Sequence, residues 1–426
     1  MIAADFIVRN ARQVITCAGA YPRRGSDQGS LESIAEGAIA SLKGRVVYAG
    51  PSAVLGETVR PAPGAREIVE FDAAGMSIVP GFVDAHTHAI FAGDRRDELR
   101  RRLAGATYAE IAAGGGGIVS TVDATRAATE MQLVTETRTR LDEMLACGTT
   151  TCEIKSGYGL TLDSELKILR AVATLAVEHP MDIVATFMGA HEVPLEFRER
   201  RNDYVELVVN DMIPAVAAAG LAQWCDVFCE NGVFTPAEST RILEAGLRAG
   251  LKPRIHADEL AASGGAHVAA SVGARSADHL IHASPEAIAA MASADVTATL
   301  LPAAAFYLKL GRFAPARDFI AASVPVALAT DVNPGGGFSP SMPFAMTLAC
   351  FGMSLTFEEA LVAATINAAW SIDRAEEVGS LEPGKLMDAV IIDGDAINLI
   401  RIGANSIRAV VKAGKIVHES LTPPIH

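Results

Sequence analysis

Two histidines stand one residue apart in Phe82-Val83-Asp84-Ala85-His86-Thr87-His88, directly behind an apolar run. In an extended chain side chains repeat every two residues, so His86 and His88 project from one face. Two imidazoles on one side of a buried strand end are good donors for a metal ion, although hydrogen-bonded core histidines would look the same locally. Companions lie further along the chain. His191, His256, His279 and Asp331 each end a short apolar or β-branched run. Five of the ten histidines sit at such ends; His179, His267, His282, His418 and His426 lie elsewhere and read as structural or exposed. Three nitrogens (His86, His88, His256) and the Asp331 carboxylate suit one divalent ion with an open position, zinc or Fe(II). Taken singly, Asp331 reads equally as a helix cap or turn residue before Asn333-Pro334-Gly335, and His279 as a satisfied core histidine.

The elements that must position these residues alternate. Strand-like runs at 82–88, 149–155, 182–190, 224–230, 252–256, 276–280, 295–301 and 325–331 are separated by amphipathic segments such as 123–147, 162–179, 203–220, 236–250 and 357–370. Eight strands, each followed by a helical connection, predict an α/β fold, a TIM-like (β/α)8 barrel, whose functional residues sit at the C-terminal strand ends. A doubly wound sheet would want a glycine-rich phosphate turn after its first strand. Gly114-Gly115-Gly116-Gly117 instead falls between helical segments and lacks a following Lys-Ser/Thr, so it reads as a flexible connection. Both ends of the chain are β-rich: Asp5–Thr16, Ala38–Tyr48 and Glu67–Phe71 at the start, Leu386–Asp393, Ser406–Lys412 and Lys415–His418 at the finish. They predict a small composite β-sandwich built from residues 1–79 and 376–426 around a barrel of residues 80–375.

Composition narrows the function classes. A net charge of −14 argues against a nucleic-acid partner. Arg95, Arg96, Arg100, Arg101 and Arg102 form a local basic cluster, most simply a solvated helix face, though one of them could bind an anion. Six scattered cysteines without a Cys-x-x-Cys pair suit a reducing compartment. The first residues lack the pattern of a signal peptide, and no run of 18 apolar residues occurs, so a cytoplasmic protein without membrane contact is expected.

The strand-end constellation resembles the amidohydrolase superfamily, with its His-x-His, later histidines and final-strand aspartate at His86, His88, His256, His279 and Asp331. Leu381-Glu382-Pro383-Gly384-Lys385 before Asp388-Ala389 is similar to that superfamily's composite sandwich. Within it the chain looks most like the imidazolonepropionase family, on Ala106-Thr107-Tyr108, Gly115-Gly116-Gly117-Ile118-Val119-Ser120-Thr121, Lys155-Ser156-Gly157-Tyr158-Gly159, Thr186-Phe187-Met188-Gly189-Ala190-His191, Ala305-Phe306-Tyr307-Leu308 and Ala329-Thr330-Asp331-Val332-Asn333-Pro334-Gly335. One departure is Gly336, where that family usually carries a hydroxyl residue.

The resemblance implies hydrolysis of the cyclic amide 4-imidazolone-5-propanoate to N-formimidoyl-L-glutamate in histidine degradation, by a homodimer. It implies one metal ion per subunit, Zn2+ or Fe2+/Fe3+, on His86, His88, His256 and Asp331, because the carbamylated lysine that binuclear relatives carry on the fourth strand is replaced here by Cys229-Glu230. Asp331 would act as base and then acid for a metal-activated water, His279 would polarise the carbonyl, and Glu259 would bond the ring N–H. Arg95 would hold the propionate, with Tyr108, Tyr158, His191, Asn333, Gly335 and Gly336 around the substrate. The alternatives are a deaminase, which would not need a carboxylate-binding Arg95, another cyclic-amide hydrolase of the superfamily acting on a different small heterocycle, and a non-catalytic scaffold, which would have lost its ligands.

Overall fold

The computed structural model describes residues 1–63, 68–106, 110, 116–403 and 405–420. Among them, eight strands form the barrel wall: β1 (Phe82–Asp84), β2 (Thr149–Lys155), β3 (Asp182–Ala190), β4 (Trp224–Cys229), β5 (Lys252–Ala257), β6 (Ser276–His279), β7 (Thr297–Leu300) and β8 (Val326–Leu328). Each pairs in parallel with its neighbour in sequence, as helical crossovers require. β7 and β8 are buried at every position, which is why their residues form continuous apolar or β-branched runs.

No ladder joins β1 to β8. The seam is closed just beyond the strand ends instead. The His88 N–H donates to the Val332 carbonyl at 3.0 Å and the Asp331 N–H to the His86 carbonyl at 3.1 Å. Asp84 accepts from the Thr330 N–H at 3.0 Å and from the Thr330 hydroxyl at 2.5 Å.

Around the barrel, the helix expected over 123–147 is two helices, Ile118–Ala127 and Glu130–Ala146. The extended backbone of Ala128 ends one, and Thr129 begins the next, its side chain accepting from the Gln132 N–H in a reciprocal capping box. The segment 203–220 runs as Arg201–Leu207, a π turn Val208–Met212 and Ile213–Ala219, stopped by Gly220 in the left-handed region. The segment 357–370 likewise divides at Thr365, whose non-helical backbone separates Phe357–Ala363 from Ile366–Ser371.

The two ends of the chain meet in one mixed sheet. Met76–Pro80 lies at its centre, parallel to Phe6–Ile15 and antiparallel to Ala389–Asp393, with Ile407–Lys412 and Lys415–Glu419 beyond. The single segment expected at Ala38–Tyr48 is a hairpin of Ser33–Leu42 and Arg45–Pro51, because Lys43 and Gly44 both take positive φ and turn the chain. Glu67 lies outside the described residues, and the strand expected there runs over Val69–Asp72. Phe6, Val8, Ile39, Ile78, Ile391 and Val411 pack into this sheet's own core. Gly81 then passes the chain into β1; a Cβ there would lie 2.3 Å from the Thr150 hydroxyl, so only glycine fits. No helix among the described residues is long and apolar enough to cross a membrane.

Candidate active site

His86 and His88 project from the end of β1, His256 from β5, His279 from β6, and Asp331 from just past β8, all buried. The His88 and His256 Nε2 atoms are 3.1 Å apart, and the Asp331 Oδ1 lies 3.6 Å from the His86 Nε2 and 3.7 Å from the His88 Nε2. Donors held about 2.0–2.1 Å from one tetrahedral zinc ion would be separated by roughly 3.3 Å, so these spacings suit an ion, and the ligand atoms form two overlapping sets, His86–His88–Asp331 and His86–His256–His279. Two of the atoms, His86 Nε2 and Asp331 Oδ1, are buried and have no hydrogen-bond partner among the described residues. Such orphaned groups are costly unless something of opposite character sits between them. The His279 ring also falls within ligand range of His86 and His256, so the geometry alone admits it as a further donor.

Protonation favours the same use. Burial first, then Lys155 and the neighbouring imidazoles, hold His86 well below its ordinary pKa. Burial and His191 do the same for His88, and burial and His256 for His279, so all three rings stay neutral with a lone pair available. Burial pushes the Asp331 carboxyl up to about 7, against the lowering influence of His256 and Asn333. Asp331 and His279 are held at φ 52° and 73°, a left-handed backbone that aims both side chains into the same space.

Behind the histidines lies a set of buried charges. The His86 Nδ1 meets the Asp278 carboxylate at 2.6 Å, and the His256 Nδ1 meets Asp226 at 3.0 Å, which leaves each Nε2 as the lone-pair nitrogen. Burial alone would lower the Lys155 ammonium, but Asp226 and Glu153 outweigh it and raise its pKa. Asp226 was not foreseen. A signal existed: a charge inside the apolar strand Trp224-Cys225-Asp226-Val227-Phe228-Cys229 demands a buried partner.

Above the donors opens a cavity of about 400 Å³, with His88, His256, His279 and Asp331 in its lining. Arg95, Tyr158, His191, Glu259, Asn333, Gly335 and Gly336 all line it, whereas Tyr108 lies outside the described residues. Arg95 is buried, unlike the exposed Arg96, Arg100 and Arg101 of the helix it precedes, so the basic cluster is not one solvated face. Its Nε and Nη2 donate to one Glu98 oxygen at 2.9 and 2.7 Å, and the other Glu98 oxygen accepts the Gly117 N–H at 2.7 Å. Gly335 packs against the guanidinium so closely that a Cβ would sit 2.2 Å from Nη1. Arg102 is buried as well and donates to the carbonyls of Gly335 and Tyr307, each at 3.1 Å.

The remaining lining residues divide by what their polar atoms do. His191 donates from Nδ1 to the Gly157 carbonyl at 3.0 Å and stacks on His88; burial and then His256 bring its pKa down to about 3. Burial and then Asp331 push Glu259 well above the carboxylate range, with its Oε1 3.6 Å from the His279 Nδ1. Asn333 spends its side chain on its own loop, accepting from the N–H groups of Gly335 and Gly336 and donating to the Asp331 carbonyl. A Cβ at Gly336 would meet the Leu308 side chain at 3.2 Å, so Leu308 occupies the ground a side chain there would take. Glu98, Arg102, Phe228, Leu308 and Leu310 are site residues that the sequence reading missed. Phe228 had a signal in sharing a strand face with Asp226, and Arg102 in belonging to the basic cluster.

The chain matches the model of the amidohydrolase family over residues 77–417. It is 49% identical over 416 residues to an imidazolonepropionase of Shouchella clausii, covering 97% of this chain and 92% of that protein. It is also 49% identical over 420 residues to an imidazolonepropionase of Symbiobacterium thermophilum, covering 98% of each. Among solved structures it is similar to E. coli guanine deaminase (TM-score 0.72, 17% identity, 97% of this chain and 99% of that one). It also resembles an adenosine deaminase from Xanthomonas campestris with bound zinc (TM-score 0.69, 18% identity, 97% and 94%). At such identities these two structures speak for the fold alone.

Proposed function

This chain belongs to the amidohydrolase family and, within it, to the imidazolonepropionases; on that premise we propose that His86, His88, His256 and Asp331 hold one metal ion and that the cavity above them binds 4-imidazolone-5-propanoate. The chain is a hydrolase of cyclic amides in histidine degradation. The reaction adds water to the ring carbonyl, breaks the carbonyl–nitrogen bond and yields N-formimidoyl-L-glutamate. The observation that carries the substrate reading is the buried Arg95 guanidinium in the same cavity as the donor set. A deaminase of an uncharged base has no use for it.

When bound, a divalent ion supplies Lewis acidity, which brings a water's pKa toward about 7 and polarises the carbonyl. Asp331 takes the proton of the attacking water and passes it to the departing ring nitrogen, as a carboxylate beside both can. His279 donates to the oxygen on which charge develops, and Glu259 accepts the ring N–H. Arg95, held flat by Glu98, presents its remaining N–H groups to the propionate. His191 stacks on His88, Tyr158 tilts against both, and together they wall off the ring from water.

A single ion is supported by the fourth strand, which ends in buried Cys229 and in Glu230, whose carboxylate accepts the Leu260 N–H. Zinc or iron both suit this donor set. A cytoplasmic setting is supported by six cysteines that are all free thiols. A homodimer is the assembly that the family resemblance implies. The test is turnover of freshly generated 4-imidazolone-5-propanoate together with elemental analysis: the expected result is ring opening at one zinc or iron per chain, and a metal-loaded protein that leaves this substrate intact refutes the reading.

A further inference from the structure

Two of the histidines are backed by a carboxylate, and each carboxylate is backed in turn by a buried cation. Behind His256 stands Asp226, whose second oxygen lies 2.7 Å from the Lys155 Nζ. Behind His86 stands Asp278, whose Oδ2 lies 3.1 Å from the Arg254 Nη2. Lys155 and Arg254 are both 0% exposed, so water cannot substitute for either. Glu153 ties the two halves to the His-x-His turn. One of its oxygens is 2.8 Å from the Lys155 Nζ, and the other accepts the Thr87 N–H, between His86 and His88, at 3.3 Å.

We propose that Lys155 and Arg254 are positioning residues for the metal, acting through Asp226 and Asp278 to fix the rings of His256 and His86 and to set the charge behind them. The inference rests on the metal-site reading. Without Lys155, Asp226 would be a buried carboxylate with one charged partner gone, free to reorient, and the His256 tautomer would lose its lock. Formal charge points the same way. Three carboxylates (Glu153, Asp226, Asp278) against two cations leave one negative charge behind the rings; Asp331 adds a second, matching a divalent ion. Alternation places every member of the set: Glu153 and Lys155 share a face of β2, Arg254 and His256 a face of β5, and Ser276, which donates to Asp278, shares that residue's face of β6.

The experiment compares the stripped full-length chain with Asp226→Asn, Lys155→Met and Asp226→Asn/Lys155→Met. Zn2+ affinity is read by competition with a chromophoric chelator, and geometry by the visible absorption of the Co2+-loaded protein. Asp226→Asn is expected to weaken Zn2+ binding 10- to 100-fold and to alter the Co2+ spectrum. Lys155→Met is expected to weaken Zn2+ binding at least tenfold in the parent but clearly less when added to Asp226→Asn, because most of its effect runs through Asp226 and the rest through Glu153. The double variant keeps the parent's net charge, so the test stays readable even if Lys155→Met alone fails to fold. Parental affinity and spectrum in Asp226→Asn or in a folded Lys155→Met would overturn the proposal, and so would a double variant whose loss is the two single losses added together. A parental chain that binds no Zn2+ is a different failure: it removes the metal-site reading and this inference with it.

Discussion

Changing Gly335 to alanine perturbs the anion site without replacing a charged group. The new Cβ would lie 2.2 Å from the Arg95 Nη1, 2.5 Å from its Cζ and 2.9 Å from its Nη2. Ordinary contact begins near 3.4 Å, so the guanidinium must retreat by about 1.2 Å. It cannot do so freely. Arg95 is buried and pinned by two bonds to Glu98, and a shift of that size breaks at least one of them. A charge-assisted bond of this kind is worth about 1.5–3 kcal/mol. The retreat also misplaces the donors meant for the propionate, so kcat/KM should fall by about 2–4 kcal/mol, on the order of 30- to 1,000-fold, mostly through KM. Steady-state kinetics on Gly335→Ala, Arg95→Ala and their combination check this, with metal content measured alongside. The combination should be no worse than Arg95→Ala, since both changes remove one interaction. A Gly335→Ala enzyme with parental KM, or a combined loss equal to the two single losses added together, would refute the reasoning.

Asp331→Asn keeps an oxygen for the metal but no proton acceptor, so per bound metal kcat should drop by roughly 10²–10⁴, whereas His86→Ala should lose metal and activity together; activity per metal in the two variants checks both. The pH dependence follows from Asp331. Its carboxyl is raised from 3.8 to about 7 in the metal-free fold, so folding takes up a proton between those values and the stability of the metal-free protein should fall as pH rises through that window. Metal binding must expel the same proton, so affinity should climb with pH to about 7 and then level. Denaturant melts and metal titrations of parent and Asp331→Asn over pH 5–8 test this, the variant being expected to show flatter profiles. Elemental analysis of the active protein should find one tightly bound ion per chain; two would contradict the fourth-strand argument.

Much of the site was legible because barrel strands are short, buried and terminate on one side. A polar residue closing an apolar run is conspicuous there, which is how His86, His88, His191, His256, His279 and Asp331 stand out. The charges one step earlier on the same strands were harder to see. Glu153, Asp226 and Arg254 look like strand imperfections until their partners on neighbouring strands are known, and pairing across strands is a property of register rather than of local sequence. The arginine cluster misled for a related reason. Helix periodicity separates the exposed Arg96, Arg100 and Arg101 from the buried Arg102, but Arg95 precedes the helix and its direction is fixed by Glu98 and Gly335. Helix breaks at Thr129 and Thr365 were invisible to an apolar pattern that runs straight across them.

The way the barrel shuts carries a kinetic meaning. His86, His88 and Asp331 come together only where the first and last strands meet, and the side-chain bond from Thr330 to Asp84 spans 246 residues of sequence. Loops of that length close late, after the intervening crossovers have collapsed onto one another. A chain still short of that closure has no site to offer an ion. Metal therefore acts on the finished native state: it slows unfolding and lengthens the lifetime of the shut barrel while leaving the rate of folding nearly unchanged.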